Sequence, residues 1–369
     1  MMSVWSSLVG QEAAVAKLSD AAASARAIVA SRGGRASDEA RSMSHAWLIT
    51  GPPGSGRSVA ARAFAAALQC TGETPGCGAC PGCRTTMART NADVVFAATE
   101  TSIINVDTAR SLVLQAQSSP SQGLWRVIVV EDADRLGESG ANALLKAIEE
   151  PPEHTVWLLC APSPEDMIAT IRSRCRHLGL RIPTAAAVAD LLVREGVATP
   201  DVALDAARAA QSHIGLARAL ARDPQMRERR RAIITAPASV RSVGEAVMAA
   251  DRLLETAKAQ ADAQVSERNA REKAELMRQL GMDEGESATK ASRTMIRQLE
   301  EDQKRRSKRA LTDAIDRALI DLLAIYRDVL MVQVGGDGEL INTDLSDLVH
   351  EIAQDSTPRQ TLARVDHIE

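Results

Sequence analysis

Ala46-Trp-Leu-Ile-Thr-Gly-Pro-Pro-Gly-Ser-Gly-Arg-Ser58 decides the fold. A short apolar run, Ala46 to Thr50, ends in a Gly/Pro loop, and an Ala-rich helical stretch follows from Ser58 to Leu68. Strand, glycine loop and helix in that order make a phosphate cradle, in which backbone N–H groups wrap phosphate oxygens at a helix N-terminus. Gly51, Gly54, Ser55, Gly56, Arg57 and Ser58 lie in a segment that fits Gly-x4-Gly-Lys-Ser/Thr at every fixed position but one. Ser58 would give its hydroxyl to Mg²⁺. The exception is Arg57. A lysine would set one compact charge among the phosphates, whereas a guanidinium is planar and binds as a fork. A ligand-free glycine turn is the plainer account, and Arg57 leaves ATP binding open.

Downstream, Arg126 to Val130 is an apolar, β-branched run ending in Glu131-Asp132-Ala-Asp134. In phosphate-loop ATPases such a strand end carries an acid that holds Mg²⁺ and a second that orients the attacking water, usually Asp then Glu. Here Glu131 comes first and Asp132 second. A misplacement of ~1 Å can cost ~100-fold in rate. A merely solvated strand end is the alternative. Gln11 to Ala30 and Asn142 to Glu149 read as helices, the second closed by Pro151-Pro152. Thr155 to Cys160 is another buried strand, and Ser31 to Ser44 is a polar connection. Strands alternating with helices predict an α/β domain with a mainly parallel sheet.

After Pro183 the strands stop. Thr184 caps a helix reaching Arg194, and shorter helical stretches run to about Ala236. From Pro237 the pattern is all helix. Ala257 to Arg309 is polar, rich in Arg, Lys, Glu and Gln, and reads as a solvated helical hairpin or an insertion broken at Gly281 to Ser287. Leu311 to Val334 is strongly amphipathic, and Gly335 to Gly338 is a turn.

Composition narrows the function. The chain has 369 residues, 45% apolar and 25% charged, which predicts two or three soluble domains. Four Trp, two Phe and one Tyr predict an aliphatic core and argue against base recognition by aromatic stacking. A net charge of −4 excludes a strongly basic nucleic-acid binder, though not a local basic patch. No apolar run approaches a bilayer span and no signal peptide is visible, so a reducing cytoplasm is expected. There, clustered cysteines read as metal ligands. Cys70, Cys77, Cys80 and Cys83 follow the spacing Cys-x6-Cys-x2-Cys-x2-Cys, with Gly76, Gly78, Pro81 and Gly82 supplying tight turns. Four thiolates suit tetrahedral zinc. An iron–sulfur motif would need a further cysteine downstream before a proline, and Arg84 to Ala88 offers none.

Trp5-Ser-Ser-Leu-Val-Gly-Gln11, the phosphate loop, the cysteine module, Asn142-Ala-Leu-Leu-Lys-Ala-Ile-Glu-Glu-Pro-Pro152 and Ser173-Arg-Cys175 occur in this order. Together they resemble bacterial clamp-loader subunits of the AAA+ class over about the first 220 residues. Within that class the chain is most similar to the delta-prime family of DNA polymerase III. The gamma/tau motor family shares the cysteine module and Ser-Arg-Cys and is the alternative. Motor subunits keep the loop lysine, the Asp-Glu pair and a polar sensor residue. This sequence has Arg57, Glu131-Asp132 and Ala161-Pro162 there.

The resemblance implies an AAA+ domain over 1–181, a helical lid over 182–236 and an all-α collar over 237–369 that holds a heteropentamer. The implied activity is loading a sliding clamp onto primer–template DNA, with gamma/tau and delta subunits as partners and little ATP turnover by this chain. Arg174 matches the arginine that reaches into a neighbour's ATP site, where a guanidinium in trans stabilises charge on the γ-phosphate. A helix-capping arginine is the plainer account. Arg218 matches a lid arginine that senses nucleotide in cis, and Leu8, Val9, Gly10 and Gln11 match the segment against adenine. Both roles matter only if ATP is bound. Lys146, Arg89, Arg110 and Arg135 are candidates for DNA phosphate contacts, with solvation the plainer account. Lys304-Arg-Arg-Ser-Lys-Arg309 reads as a charged helix face among nearby acids. The family's collar usually ends in a further helix, which leaves open whether the chain is complete at Glu369.

Overall fold

The computed structural model describes residues 3–31, 42–97, 103–240, 242–280 and 290–368. They divide into two compact units, Met1–Arg218 and Ala219–Glu369.

The first unit contains α1 (Glu12–Ala30), β1 (Ala46–Thr50), α2 (Arg57–Leu68), α3 (Pro81–Met87), β2 (Val94–Ala97), α4 (Val106–Ala116), β3 (Arg126–Val130), α5 (Glu138–Glu149), β4 (Thr155–Ala161), α6 (Ala169–Arg172) and β5 (Arg176–Gly179). Then come α7 (Ala185–Arg194), α8 (Pro200–Ala209) and α9 (Ile214–Arg222), the last crossing the division. The strands form one parallel sheet in the order β2-β3-β4-β1-β5. β1 pairs with β4 in the register Leu48↔Leu159 and with β5 in the register Ile49↔Leu178.

Both faces of the sheet are covered, so its central strands must be apolar throughout. One face packs Trp47, Ile49, Val127, Val129, Leu158 and Cys160 against α1 and α2, and the other packs Leu48, Ile128, Trp157 and Leu159 against α4, α5 and α6. The core is aliphatic except at its centre. Trp47 and Phe64 meet edge-to-face with ring centroids 5.3 Å apart, and Trp157 is fully buried. The scarce aromatics are concentrated where the most area can be removed from water.

β2 and β5, the edge strands, are absent from the sequence reading: β5 lacks an apolar run, whereas β2 is the short apolar run Val94-Val-Phe-Ala97. β5 is Arg-His-Leu-Gly with only Leu178 buried, and β2 is mostly half-buried. Helix α5 begins at Glu138, a turn before Asn142, because Gly140 and Ala141 pack against the loop before α4 and against α4 itself. Thr184 caps α7 as expected, accepting the Ala187 N–H at 3.2 Å.

The second unit is helical: α10 (Pro224–Ser239), α11 (Val243–Gln279), α12 (Lys290–Gln333), α13 (Ser346–Gln354) and α14 (Pro358–Ile368). Pro237 lies inside α10. The polar stretch occupies α11 and α12, which pack through a seam of small residues, Ala257, Ala261, Ala310 and Ala314. The expected break at Gly281 to Ser287 falls outside the described residues. The arginines of the basic run are paired: Arg306 donates to Glu272 at 2.8 Å and to Asn269 at 2.7 Å, Arg305 pairs with Asp302, and Arg309 lies 3.7 Å from Asp313. Asp328, fully buried, accepts hydrogen bonds from the Ile341 and Asn342 N–H groups at 3.0 and 2.8 Å and so anchors the segment after α12. No described helix is long and apolar enough to cross a membrane.

Candidate functional site

The phosphate loop leaves the C-terminal end of β1, where β4 and β5 flank it. That is the crevice in which open parallel sheets bind their ligands. Gly54 and Gly56 have φ of +88° and +91°, which residues with a side chain rarely adopt. A Cβ on Gly54 would also lie 2.7 Å from the Cα of His213. His213 in turn accepts the Leu216 N–H through Nδ1 at the start of α9. Gly51 N–H donates to Pro162 O at 3.1 Å. Ser55 is buried, its hydroxyl has no hydrogen-bond partner, and its carbonyl accepts from the Gln11 amide at 3.3 Å. Gln11 also donates to Arg181 O at 2.6 Å and accepts from Arg181 N–H at 3.2 Å. Gly10, at φ +69°, packs on Pro183. Through Gln11, Val9 and Gly10 are held beside the loop.

The backbone of this loop has the shape of an anion cradle, and the unpartnered Ser55 hydroxyl lies within it. Side chains around it are engaged inside the chain. Arg57 donates to the Gly51 carbonyl at 2.5 Å, folding back on its own loop. Glu131 accepts from Arg89 at 2.5 Å. Burial raises the Glu131 carboxyl above its ordinary range, although Arg89 pulls the other way. Asp134 is raised by burial as well. Between these groups the wholly buried Cys160 thiol is pushed up to about 12 by burial, and Glu131 adds to it. Arg218 makes two hydrogen bonds of 2.9 Å to Glu195 at the end of α7. Ser58 is half-buried in the first turn of α2, and Asp132 opens the short turn after β3.

The cysteine module closes as its spacing predicts. The four Sγ atoms of Cys70, Cys77, Cys80 and Cys83 lie within 4.8 Å of one another, and those of Cys80 and Cys70 are 3.8 Å apart. Zn–S bonds of ~2.3 Å imply tetrahedral S···S edges of about 3.8 Å. Backbone N–H groups of Ala79 and Cys80 point at Cys77 Sγ, and that of Cys83 at Cys80 Sγ, all at 3.4 Å. Burial pushes the Cys80 thiol up, but hydrogen bonds from the backbones of Cys83 and Thr71 outweigh it and bring it to about 5. Burial raises Cys83. The donor set fits one zinc ion. The module is tied down by Val4 N–H to Gly76 O at 3.0 Å, and by Arg26, which donates to Glu73 O and Cys70 O.

Arg174 lies between α6 and β5. It donates through Nη1 to Thr170 O at 2.8 Å and pairs with Glu149 on α5. Of the candidate DNA contacts, Lys146 is exposed on α5, Arg110 is 3.5 Å from Asp107, and Arg89 is committed to Glu131. The roles of Arg89, Glu149 and Glu195 as partners escape sequence reasoning. Each pair joins residues far apart in the chain, and no spacing encodes them.

A parallel sheet in this order, with a phosphate loop after β1, an acidic end on β3 and a helical segment following, defines an AAA+ domain. Residues 35–184 match the family described as DNA polymerase III, delta subunit. The chain is 35% identical over 182 residues to DNA polymerase III subunit delta' of Escherichia coli (48% of this chain, 54% of that protein). It is 36% identical over 161 residues to delta' of Pseudomonas aeruginosa (42% and 48%). It is also 35% identical over 170 residues to subunit gamma/tau of Mycobacterium tuberculosis (44% and 29%). The aligned part thus spans half or less of most of these relatives' length. Over its first half the chain is thus similar to bacterial clamp-loader subunits, and the family match together with the delta' relatives supports the delta-prime family of DNA polymerase III.

Proposed function

We propose that the chain acts as the delta-prime subunit of a DNA polymerase III clamp loader, turning over little ATP itself and supplying Arg174 to a neighbour's ATP site. One observation carries this reading. Glu131 and Arg57, which would hold Mg²⁺ and the γ-phosphate in its own site, are bonded within the chain, with the Glu131 side chain only 12% exposed, whereas Arg174, though paired with Glu149, keeps a side chain 39% exposed. The gamma/tau reading requires those groups to be available to nucleotide. The partners would be gamma/tau and delta subunits, the sliding clamp and primer–template DNA, in the cytoplasm. The lid would span 182–236 and the collar 237–369. One zinc held by Cys70, Cys77, Cys80 and Cys83 would cross-link the module between α2 and β2. Should nucleotide bind, Val9, Gly10, Gly51, Gly54, Ser55, Gly56 and Ser58 would line it.

The test is clamp- and DNA-stimulated ATPase of a reconstituted complex carrying Arg174→Ala. An arginine finger is worth ~10³–10⁵ at a single site. Only one of several sites loses its finger, so total ATPase falls partially and clamp loading falls further. Arg174→Lys rescues poorly, because an ammonium lacks the fork. Wild-type rates in a complex verified to contain the variant would refute the assignment.

A further inference from the structure

Glu149 is the last residue of α5, with Glu150 as its C-cap. A carboxylate there opposes the negative end of the helix dipole, so helix stability does not account for it. Its Oε1 instead pairs with Nε of Arg174. The two side chains are 40% and 39% exposed, and an ion pair at that exposure adds little to the stability of a fold. Arg174 also donates through Nη1 to Thr170 O at 2.8 Å and to Ser173 Oγ at 3.2 Å. Nε and Nη1 are thereby committed inside the subunit, and the Nη2 corner of the fork remains to meet an external anion.

We propose that Glu149 is a positioning residue for Arg174, resting on the trans-arginine reading above. An arginine side chain is long and rotamer-rich. Held at Nε by Glu149 and at Nη1 by the Thr170 carbonyl, it loses most of its freedom within its own subunit. Less remains to be lost when it meets the neighbour's γ-phosphate. Immobilising one such side chain at an interface has a cost equivalent to about three- to tenfold in rate or affinity. Because Glu149 ends α5, the helix carrying Lys146, a shift of α5 would move Arg174 with it.

The experiment uses the reconstituted complex with Glu149→Ala, Glu149→Gln, Arg174→Ala and the double variant, with assembly checked by gel filtration. Glu149→Ala should lower kcat of stimulated ATPase by about three- to tenfold, leaving KM for ATP unchanged. Glu149→Gln keeps an acceptor for Nε–H and should stay within about twofold of wild type. The double variant should be no slower than Arg174→Ala alone. If Arg174→Ala slows the complex and Glu149→Ala leaves it unchanged or faster, the positioning role is overturned while the trans arginine stands. An additive double variant overturns it too. If Arg174→Ala has no effect, the reading beneath it has failed.

Discussion

Arg89 donates to Glu131 across 2.5 Å, joining the turn after the cysteine module to the acidic end of β3. Arg89 itself has φ +61° and lies over the Phe96 ring at 5.0 Å, so backbone, ring and carboxylate all hold it. A cation built into the chain thus sits on the carboxylate that Mg²⁺ would need.

Removing that cation leaves a mostly buried carboxylate with only the weaker attraction of Arg62 to offset its burial. Arg89→Ala should cost roughly 1–3 kcal/mol at pH 7, between the values for exposed and buried pairs. The Glu131 carboxyl is already raised by burial, and loss of Arg89 raises it further. A raised carboxyl binds its proton more tightly when folded, so stability rises as pH falls through the window above the ordinary carboxylate range. Urea titrations at pH 7 and pH 5 should show the deficit shrinking at the lower pH. A deficit that does not change with pH contradicts the assignment.

Asp93 behaves oppositely. It is fully buried, and it accepts hydrogen bonds from the N–H groups of Ser121, Gln122 and Gly123 at 2.5 to 2.8 Å and from the Ser121 hydroxyl at 2.9 Å. Burial pushes its carboxyl up, but those donors outweigh it and hold it below the ordinary range. Its stabilisation is therefore present above the unfolded-state value and lost as pH falls through the folded one. Asp93→Asn turns an amide N–H₂ toward backbone donors and should cost about 2–4 kcal/mol at neutral pH. Denaturation midpoints should converge with wild type in acid.

Purified chain should be colourless and carry about one zinc ion, the stoichiometry of a single closed four-thiolate site. Elemental analysis gives the count. Chelation, or Cys80→Ser, should lower the melting temperature without altering the sheet's circular dichroism at low temperature. A brown preparation containing iron would reject the zinc assignment.

The isolated chain should not turn over ATP at the ~1 s⁻¹ ordinary for an enzyme. Arg57→Lys alone should not restore activity, because Glu131 remains bonded to Arg89. Restored turnover in that single variant would move the chain to the gamma/tau reading.

Much of this was legible in the sequence because it is local. β1, β3 and β4 are central parallel strands covered on both faces, so they had to be continuous apolar runs; edge strand β5 carried no such signal, and β2 is an apolar run of only four residues. The phosphate loop and the cysteine cluster are written within a few residues, and glycine turns bring their atoms together, with distant Gln11, Val4 and Arg26 only bracing them. What only the tertiary structure decided is which charges meet. Arg89 reaches Glu131 across 42 residues, Arg218 reaches Glu195, and Glu149 holds Arg174. A sequence pattern records periodicity along the chain, whereas an ion pair depends on distance through space. That distance is set by how helices and strands pack.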